Sequence, residues 1–457
     1  MNIVILAAGQ GKRMKSDLPK VLHPIAGRPM LGHVLETVKT ISEANKICIV
    51  VGHGAESVKT FLEQNYSDVT TALQSDQRGT GHAVLQSLPH LEINDITLVL
   101  YGDVPLIQAK TLQQLLALAQ DGALAILTQI MVDPTGYGRI VRNQQSEIIA
   151  IIEEKDANLL TKSIKEINTG ILACPTKELS NWLSRIGTNN AQSEYYLTDI
   201  VSLAADDGVP VRSTHPQYLW ETIGVNTREQ LSLLEREWQV TLAKRLMDDG
   251  VSIVDPSRID IRGNLICETD VFIDIGCVFE GQVTLGKGVT IGPYCVLKNC
   301  EIKPNTQVKA FSNLEQSVVG ENSVIGPYAR LRPGTELMQD VHIGNFVEIK
   351  NSQIGKGSKV NHLSYVGDAT VGKGVNIGAG TITCNYDGVN KHRTIIEDDV
   401  FIGSDTQLIA PVTVGQGATL GAGTTLTKDA PANMLTVSRA KQISVNWLRP
   451  QKNKSKG

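Results

Sequence analysis

The sequence predicts two folds in one chain: a mostly parallel α/β sheet in the first half and a parallel β-helix in the second. Three observations carry this. Apolar runs alternate with helix-like segments up to about residue 226. From about Ile275 an aliphatic residue followed by glycine keeps returning, as in Leu285-Gly286, Ile291-Gly292, Val319-Gly320, Ile325-Gly326, Ile343-Gly344, Ile402-Gly403, Val414-Gly415 and Leu420-Gly421. Many of these steps are six residues or a multiple of six, the period of a hexapeptide β-helix.

In such a repeat each hexad supplies one short strand and one corner, and three hexads close one coil of a triangular prism. The aliphatic side chain enters a narrow core, and the small residue after it fits the turn. Each coil buries the apolar face of the next. Bulky aromatics do not suit that core, and only 4% of the chain is aromatic. Where the register slips, extra residues must loop out. Thr381–Arg393 (TITCNYDGVNKHR) is the clearest such loop.

At 457 residues the chain is long enough for two or three domains. Its formal net charge of −4 gives no whole-chain attraction to nucleic acid or membrane. Seven cysteines without a C-x-x-C pair signal neither a disulfide framework nor a zinc site. The sequence opens on a strand-like run, Ile3–Leu6, and no apolar stretch is long enough to span a bilayer. These features make a reducing compartment, the cytoplasm, the expected location. Lys452, Lys454 and Lys456 form either a solvated tail or an aid in holding a phosphorylated ligand.

In the first half the strand candidates are Ile3–Leu6, Ile47–Val51 and Ile96–Tyr101, with helices over Met30–Thr40 and Lys110–Gln120. Ligands of parallel α/β sheets gather at the carboxyl ends of strands, where both strong motifs lie. The first is Leu6-Ala-Ala-Gly-Gln-Gly-Lys-Arg-Met14 with Leu18-Pro-Lys20. Its small residues let backbone N–H groups approach phosphates, and Arg13 and Lys20 add positive charge. It matches neither the dinucleotide fingerprint nor the Walker loop. The second is Tyr101-Gly102-Asp103-Val-Pro105, where an Asp leaving a buried strand is either a Mg²⁺ ligand or a turn cap. A third string, Gln74–His82, supplies amides and hydroxyls suited to a uracil edge. Between the halves, Leu231, Leu234, Trp238, Leu242 and Leu246 share one helical face, Thr227 with Gln230 fits a capping box, and Gly250 fits a stop. The expected division is 1–226, a helical linker 227–249, and 250–457.

Chemistry in a β-helix must come from residues that break the repeat. Four strings do so: Arg330–Gly334, Asn345–Lys350, Asn361–Tyr365 and Ala379–Asp387. His362 is a candidate general base, since histidine has a pKa suited to proton transfer near neutral pH. Glu348 is placed to orient His362 or to pair with Lys350. Cys384 is read as structural, because no paired base is visible beside it.

The strings LAAGQGKRM, LPK, QRGTGHA, LYGDVP, PTGYGRI, INTGI and ETIGVNT resemble the sugar-1-phosphate nucleotidyltransferases. Joined to the hexapeptide array, the chain resembles the bacterial bifunctional uridylyltransferase/N-acetyltransferases from about residue 3 to residue 449. The resemblance implies an α/β nucleotidyltransferase (Rossmann-like) domain and a left-handed parallel β-helix acting as the N-acetyltransferase. It implies acetylation of glucosamine 1-phosphate by acetyl-CoA, then uridylylation of N-acetylglucosamine 1-phosphate by UTP. By the same resemblance UDP-N-acetylglucosamine feeds peptidoglycan and lipopolysaccharide synthesis. It places uridine on Leu6, Ala7, Ala8, Gly9, Gln74, Gly79 and Thr80, and the sugar on Tyr101, Gly102, Asp103, Gly138, Glu153 and Asn168. Mg²⁺ falls to Asp103 and Asn226, with Arg13 and Lys20 facing the phosphates. In the second half it makes His362 the base and gives the sugar phosphate to Arg332, Lys350, Tyr365 and Asn376. It gives acetyl-CoA to Ala379, Asn385, Tyr386, Ser404, Ala422 and Arg439, and it implies a homotrimer. The alternative is a single-activity nucleotidyltransferase whose β-helix regulates or oligomerises.

Overall fold

The computed structural model describes residues 1–41 and 46–449. Lys452, Lys454 and Lys456, predicted as a basic tail, lie outside the described residues. By its internal contacts the chain divides between Thr241 and Leu242. That break falls inside the helix Arg228–Asp248.

The first unit is built on a seven-strand path ordered Val211–Thr214, Leu124–Ile130, Glu166–Pro175, Ile96–Tyr101, Asn2–Ala7, Lys46–Val51, Thr70–Leu73. Glu166–Pro175 runs antiparallel to both neighbours, and the other pairings on the path are parallel. Asn2–Ala7 is central and buried throughout. It is apolar from Ile3 to Ala7, as a strand covered on both faces must be. Helices Met30–Lys39 and Ala109–Ala119 pack apolar stripes against this sheet. Two further strands, Arg139–Arg142 and Ile148–Ile152, form a hairpin that reaches the sheet through Ile167.

The carboxyl ends of Asn2–Ala7 and Ile96–Tyr101 lie side by side, with Leu6 opposite Tyr101. The Gly102 N–H donates to the Leu6 carbonyl at 2.9 Å. Two motifs nearly a hundred residues apart in sequence thereby open onto one place.

At the start of Arg228–Asp248 the predicted capping box is present. Thr227 Oγ1 accepts from the Gln230 N–H at 3.2 Å, and Gln230 Oε1 accepts from the Thr227 and Asn226 N–H groups at 3.2 and 2.7 Å. The cap satisfies helix donors and also fixes the backbone of Asn226.

The second unit is a parallel β-helix. Three inward columns run along it. Ile273, Ile291, Val308, Ile325, Ile343, Val360, Ile377, Ile402 and Leu420 form the first. Phe279, Leu297, Leu314, Leu331, Ile349 and Val366 belong to the second, and Leu285, Ile302, Val319, Leu337, Ile354, Val371, Ile396 and Val414 to the third. These side chains are almost fully buried, each contributing roughly 1.5–3 kcal/mol by leaving water. Phe279 departs from the expectation of an aromatic-free core. It is 1% exposed, in register between Ile261 and Leu297 of the adjacent coils.

Four other aromatics stand outside, at a corner. Tyr294, Phe311, Tyr328 and Phe346 have φ of 55–59° and stack in succession with ring centroids 5.3, 5.0 and 5.2 Å apart. The predicted excursion is shorter than expected. Ile382–Cys384 stays in the ladder against Gln407–Ile409, so only Asn385–Arg393 leaves it. Its inward residue Thr383 explains this, since its hydroxyl bonds both the N–H and the carbonyl of Gly367 in the previous coil.

Candidate functional site

In the first unit a cavity of about 230 Å³ opens where the motifs meet. Its lining includes Leu6, Ala7, Ala8, Gly9, Lys20, Gln74, Gly79, Thr80, Tyr101 and Asp103. Gly11 keeps Lys20 in place: it has φ +59°, and a Cβ there would sit 2.9 Å from the Lys20 Cβ. Lys20 Nζ donates to Asp103 Oδ2 and, at 3.1 Å, to Asn226 Oδ1. Two oxygens thus converge on one cationic nitrogen. The Val225 N–H to Asp103 carbonyl bond, 2.9 Å, holds the two segments together.

Gly138, Glu153 and Asn168 lie outside that lining but join it through Tyr101. The Asn168 N–H donates to the Gly138 carbonyl at 2.8 Å, and a Cβ on Gly138 would lie 3.4 Å from both Glu153 carboxylate oxygens. Gly170 packs under the Tyr101 ring, and Asn168 Oδ1 accepts from its N–H at 3.1 Å. Burial raises the Glu153 pKa against a 3.0 Å bond from Thr198 Oγ1. The half-buried Glu154 beside it is tied to the buried Arg139 at 2.7 Å. Gly102 is behind the cavity wall, against Val21 and Leu31. Arg13 is exposed on the turn Lys12–Met14 and does not line the cavity.

In the second unit the site-like residues fall into two rows. One row follows a corner: Asn345 pairs with His362, the His362 carbonyl accepts from the Gly380 N–H, the Ala379 carbonyl accepts from the Asp405 N–H at 2.7 Å, and the Ser404 carbonyl accepts from the Gly423 N–H at 2.8 Å. Arg439 Nη1 closes the row on the Ala422 carbonyl at 2.8 Å. His362 Nδ1 lies 3.0 Å from Asn345 Oδ1. With the Asn345 amide oxygen as the acceptor, the ring proton lies on Nδ1 and the lone pair on Nε2.

The other row is charged. Arg332 Nη1 donates to Glu348 Oε1 at 2.8 Å, and Lys350 Nζ lies 4.0 Å from Asp368 Oδ2. Lys350 also meets the Lys391 amine, whose hydrogen bond lowers the Lys350 pKa. Tyr365 sits beside Glu348 in the ladder, and Asn376 beside Lys359. Asn385 is buried and donates to Asp368, while Tyr386 is exposed on the excursion with its hydroxyl on the Gly388 carbonyl. Asn385 and Tyr386 are therefore separated from Ala379 by the strand Ile382–Cys384.

Three family profiles match the chain: the MobA-like NTP transferase domain over residues 3–161, the GMPPB C-terminal domain over 261–345, and the bacterial transferase hexapeptide (six repeats) over 393–428. The chain is 60% identical over 453 residues to a protein of Cupriavidus pinatubonensis described as bifunctional protein GlmU, covering 99% of each. Proteins of the same description from Bordetella parapertussis and Ralstonia nicotianae are 58% and 60% identical, again over 99% of both chains. The chain belongs to the GlmU family. It is a bifunctional enzyme, a uridylyltransferase and an acetyltransferase.

Two residues escaped the reading of the sequence. Asn345 fills the orienting role for which Glu348 was considered, while Glu348 is held by Arg332 and meets neither His362 nor Lys350 as its bonded partner. The signal was available: Asn345 lies seventeen positions before His362, one coil back. Lys391 is the second omission, and only the fold of the excursion brings it to Lys350. Cys384 is half-buried, and burial raises its thiol pKa, the opposite of what a nucleophile needs. Among the described residues no helix is long and apolar enough to cross a membrane.

Proposed function

We propose that the first unit joins N-acetylglucosamine 1-phosphate to UMP from UTP, and that the second makes that sugar phosphate from glucosamine 1-phosphate and acetyl-CoA. In uridylyl transfer the sugar phosphate is already an anion, so alignment and charge neutralisation suffice. Uridine lies along Leu6–Gly9, Gln74, Gly79 and Thr80. The sugar lies against Tyr101, Gly138, Glu153 and Asn168. Lys20 neutralises phosphate as a point charge, and Arg13 reaches the outer phosphates from its exposed turn.

Asp103 and Asn226 fit a divalent cation, because both present oxygen to one cation-sized position that Lys20 now fills. Mg²⁺ held there would supply further positive charge at the phosphates, completing its shell with water and phosphate oxygens.

In acetyl transfer His362 Nε2 takes a proton from the sugar amine as nitrogen attacks the thioester carbonyl. The C–S bond then breaks, the departing sulfur takes that proton from His362 Nε2, and coenzyme A leaves as the thiol. Asn345 holds the imidazole in the required tautomer. Arg332, Lys350 and Lys391 bind the sugar phosphate, the guanidinium offering two prongs, and Tyr365 and Asn376 bind the sugar. Ala379, Ser404, Ala422 and Arg439 provide the coenzyme A track, with Asn385 and Tyr386 reaching it from a second copy. The separation of Asn385 and Tyr386 from that track within one chain, with half-exposed aromatics along one corner, supports a homotrimer whose acetyl sites lie between subunits.

The observation that carries this reading is His362 Nε2, which no hydrogen bond among the described residues occupies, one coil before Ala379 on a corner row that ends at Arg439. His362→Ala tests it. Acetylation should fall by about two to four orders of magnitude with uridylylation intact, and wild-type acetylation would remove His362 from the mechanism.

A further inference from the structure

Gln74 is 4% exposed and lines the first unit's cavity. Its amide nitrogen lies 3.1 Å from the Gly79 carbonyl oxygen and 3.2 Å from His82 Nδ1. The Gly79 carbonyl can only accept, so the Gln74 atom facing it must be nitrogen. Both hydrogens of that nitrogen then have acceptors, and His82 must offer its Nδ1 lone pair. The Tyr195 ring lies 6.3 Å from the His82 ring and is tilted by 30° to it, and the Gln86 amide nitrogen, 3.3 Å from His82 Nε2, donates to the His82 carbonyl at 3.2 Å and is no acceptor for an Nε2 proton.

The consequence is chemical. With its nitrogen committed on both hydrogens, Gln74 has only its oxygen left to offer a ligand in the cavity it lines, and no hydrogen bond to that oxygen is seen among the described residues. An acceptor suits a base edge that carries an imide N–H, as uracil does at N3. It opposes cytosine, whose N3 is itself an acceptor. An amide free to turn over would suit either. We propose that His82 is a positioning residue that fixes the Gln74 amide and so makes the site prefer UTP to CTP.

This rests on the assignment of uridine to the Gln74 cavity, and the experiment separates the two. The kcat/KM values for UTP and CTP are measured in wild type, Gln74→Ala, His82→Leu, His82→Asn and His82→Gln, with acetylation as the folding control. An asparagine oxygen can occupy the place of Nδ1, whereas a glutamine oxygen reaches toward Nε2. His82→Leu and His82→Gln should each lower the UTP/CTP ratio roughly five- to tenfold, the worth of one hydrogen bond, and His82→Asn should keep it near wild type. Equal losses for both nucleotides in His82→Leu and His82→Gln would mean a merely structural role and overturn the proposal. An unchanged ratio in Gln74→Ala would instead overturn the assignment of the base to this cavity. If His82→Leu fails to fold, the contrast between His82→Asn and His82→Gln decides alone.

Discussion

The close stacking of coils around His362 makes Gly344→Ala the most informative single substitution. A Cβ on Gly344 would lie 1.9 Å from the Asn361 carbonyl oxygen, 2.6 Å from its carbon and 2.8 Å from its Cα, where ordinary contact begins at 3.4 Å. These are backbone atoms of the next coil and cannot turn aside. The two coils must separate locally by more than an ångström, about the clash removed when overpacking forces a backbone shift. The His362–Asn345 bond at 3.0 Å and the Leu363 N–H to Asn345 carbonyl bond at 3.1 Å bridge this same gap. Overpacking costs about 1–3 kcal/mol, and losing these bonds about 1 kcal/mol each. A unit of this size loses roughly 2–4 °C of Tm per kcal/mol. Gly344→Ala should therefore lower the unfolding temperature of the second unit by roughly 6–20 °C and remove most acetylation, while uridylylation at 25 °C stays near wild type. Calorimetry and separate assays of the two activities read both effects. Unchanged acetylation with an unchanged Tm would refute the reasoning that coil spacing sets the His362 geometry.

Lys20→Met should depress uridylyl transfer by at least about a hundredfold through lost charge neutralisation. It should also tighten Mn²⁺ binding without nucleotide, measured by electron paramagnetic resonance, because Asp103 is no longer held by an ammonium; weaker Mn²⁺ binding would contradict the shared position. Lys391→Ala should raise KM for glucosamine 1-phosphate about tenfold by removing one charged hydrogen bond with little change in kcat. Lys391 lowers the Lys350 pKa, so its removal lets Lys350 stay charged to higher pH. The alkaline loss of sugar-phosphate affinity should then move upward in Lys391→Ala, and a downward move would mean the two amines do not meet. Thr227→Ala should cost about 1 kcal/mol of first-unit stability through the lost cap and weaken the Asn226 oxygen's hold on metal, readable by the same Mn²⁺ titration.

The repeat was legible because its core residue must recur: every inward position of the three columns is set by the coil length, and coil length is visible as sequence spacing. The central strand and the two motif-bearing turns were legible for a similar reason, since a strand buried on both faces is apolar without alternation. Limits came where function depends on registry between coils. Seventeen or eighteen residues separate stacked positions, so Asn345 and His362 meet although nothing local links them. Lys391 was hidden because the excursion's path, pinned at Thr383 and closed by the 2.7 Å Asp387–His392 pair, follows from tertiary contacts. Phe279 shows the converse: an aromatic takes an inward position in register between Ile261 and Leu297 of the adjacent coils, which hydrophobic periodicity does not encode.

The two activities of the chain can be read in one vessel. Acetyl-CoA, glucosamine 1-phosphate and UTP are supplied together, and free thiol and pyrophosphate are followed separately. To assay each step alone, N-acetylglucosamine 1-phosphate is added where acetylation is blocked. His362→Ala should abolish thiol release yet produce pyrophosphate at the wild-type rate from the added intermediate. Lys20→Ala should release thiol normally and produce almost no pyrophosphate. A folded variant of either kind that loses both signals together would contradict the assignment of one reaction to each unit.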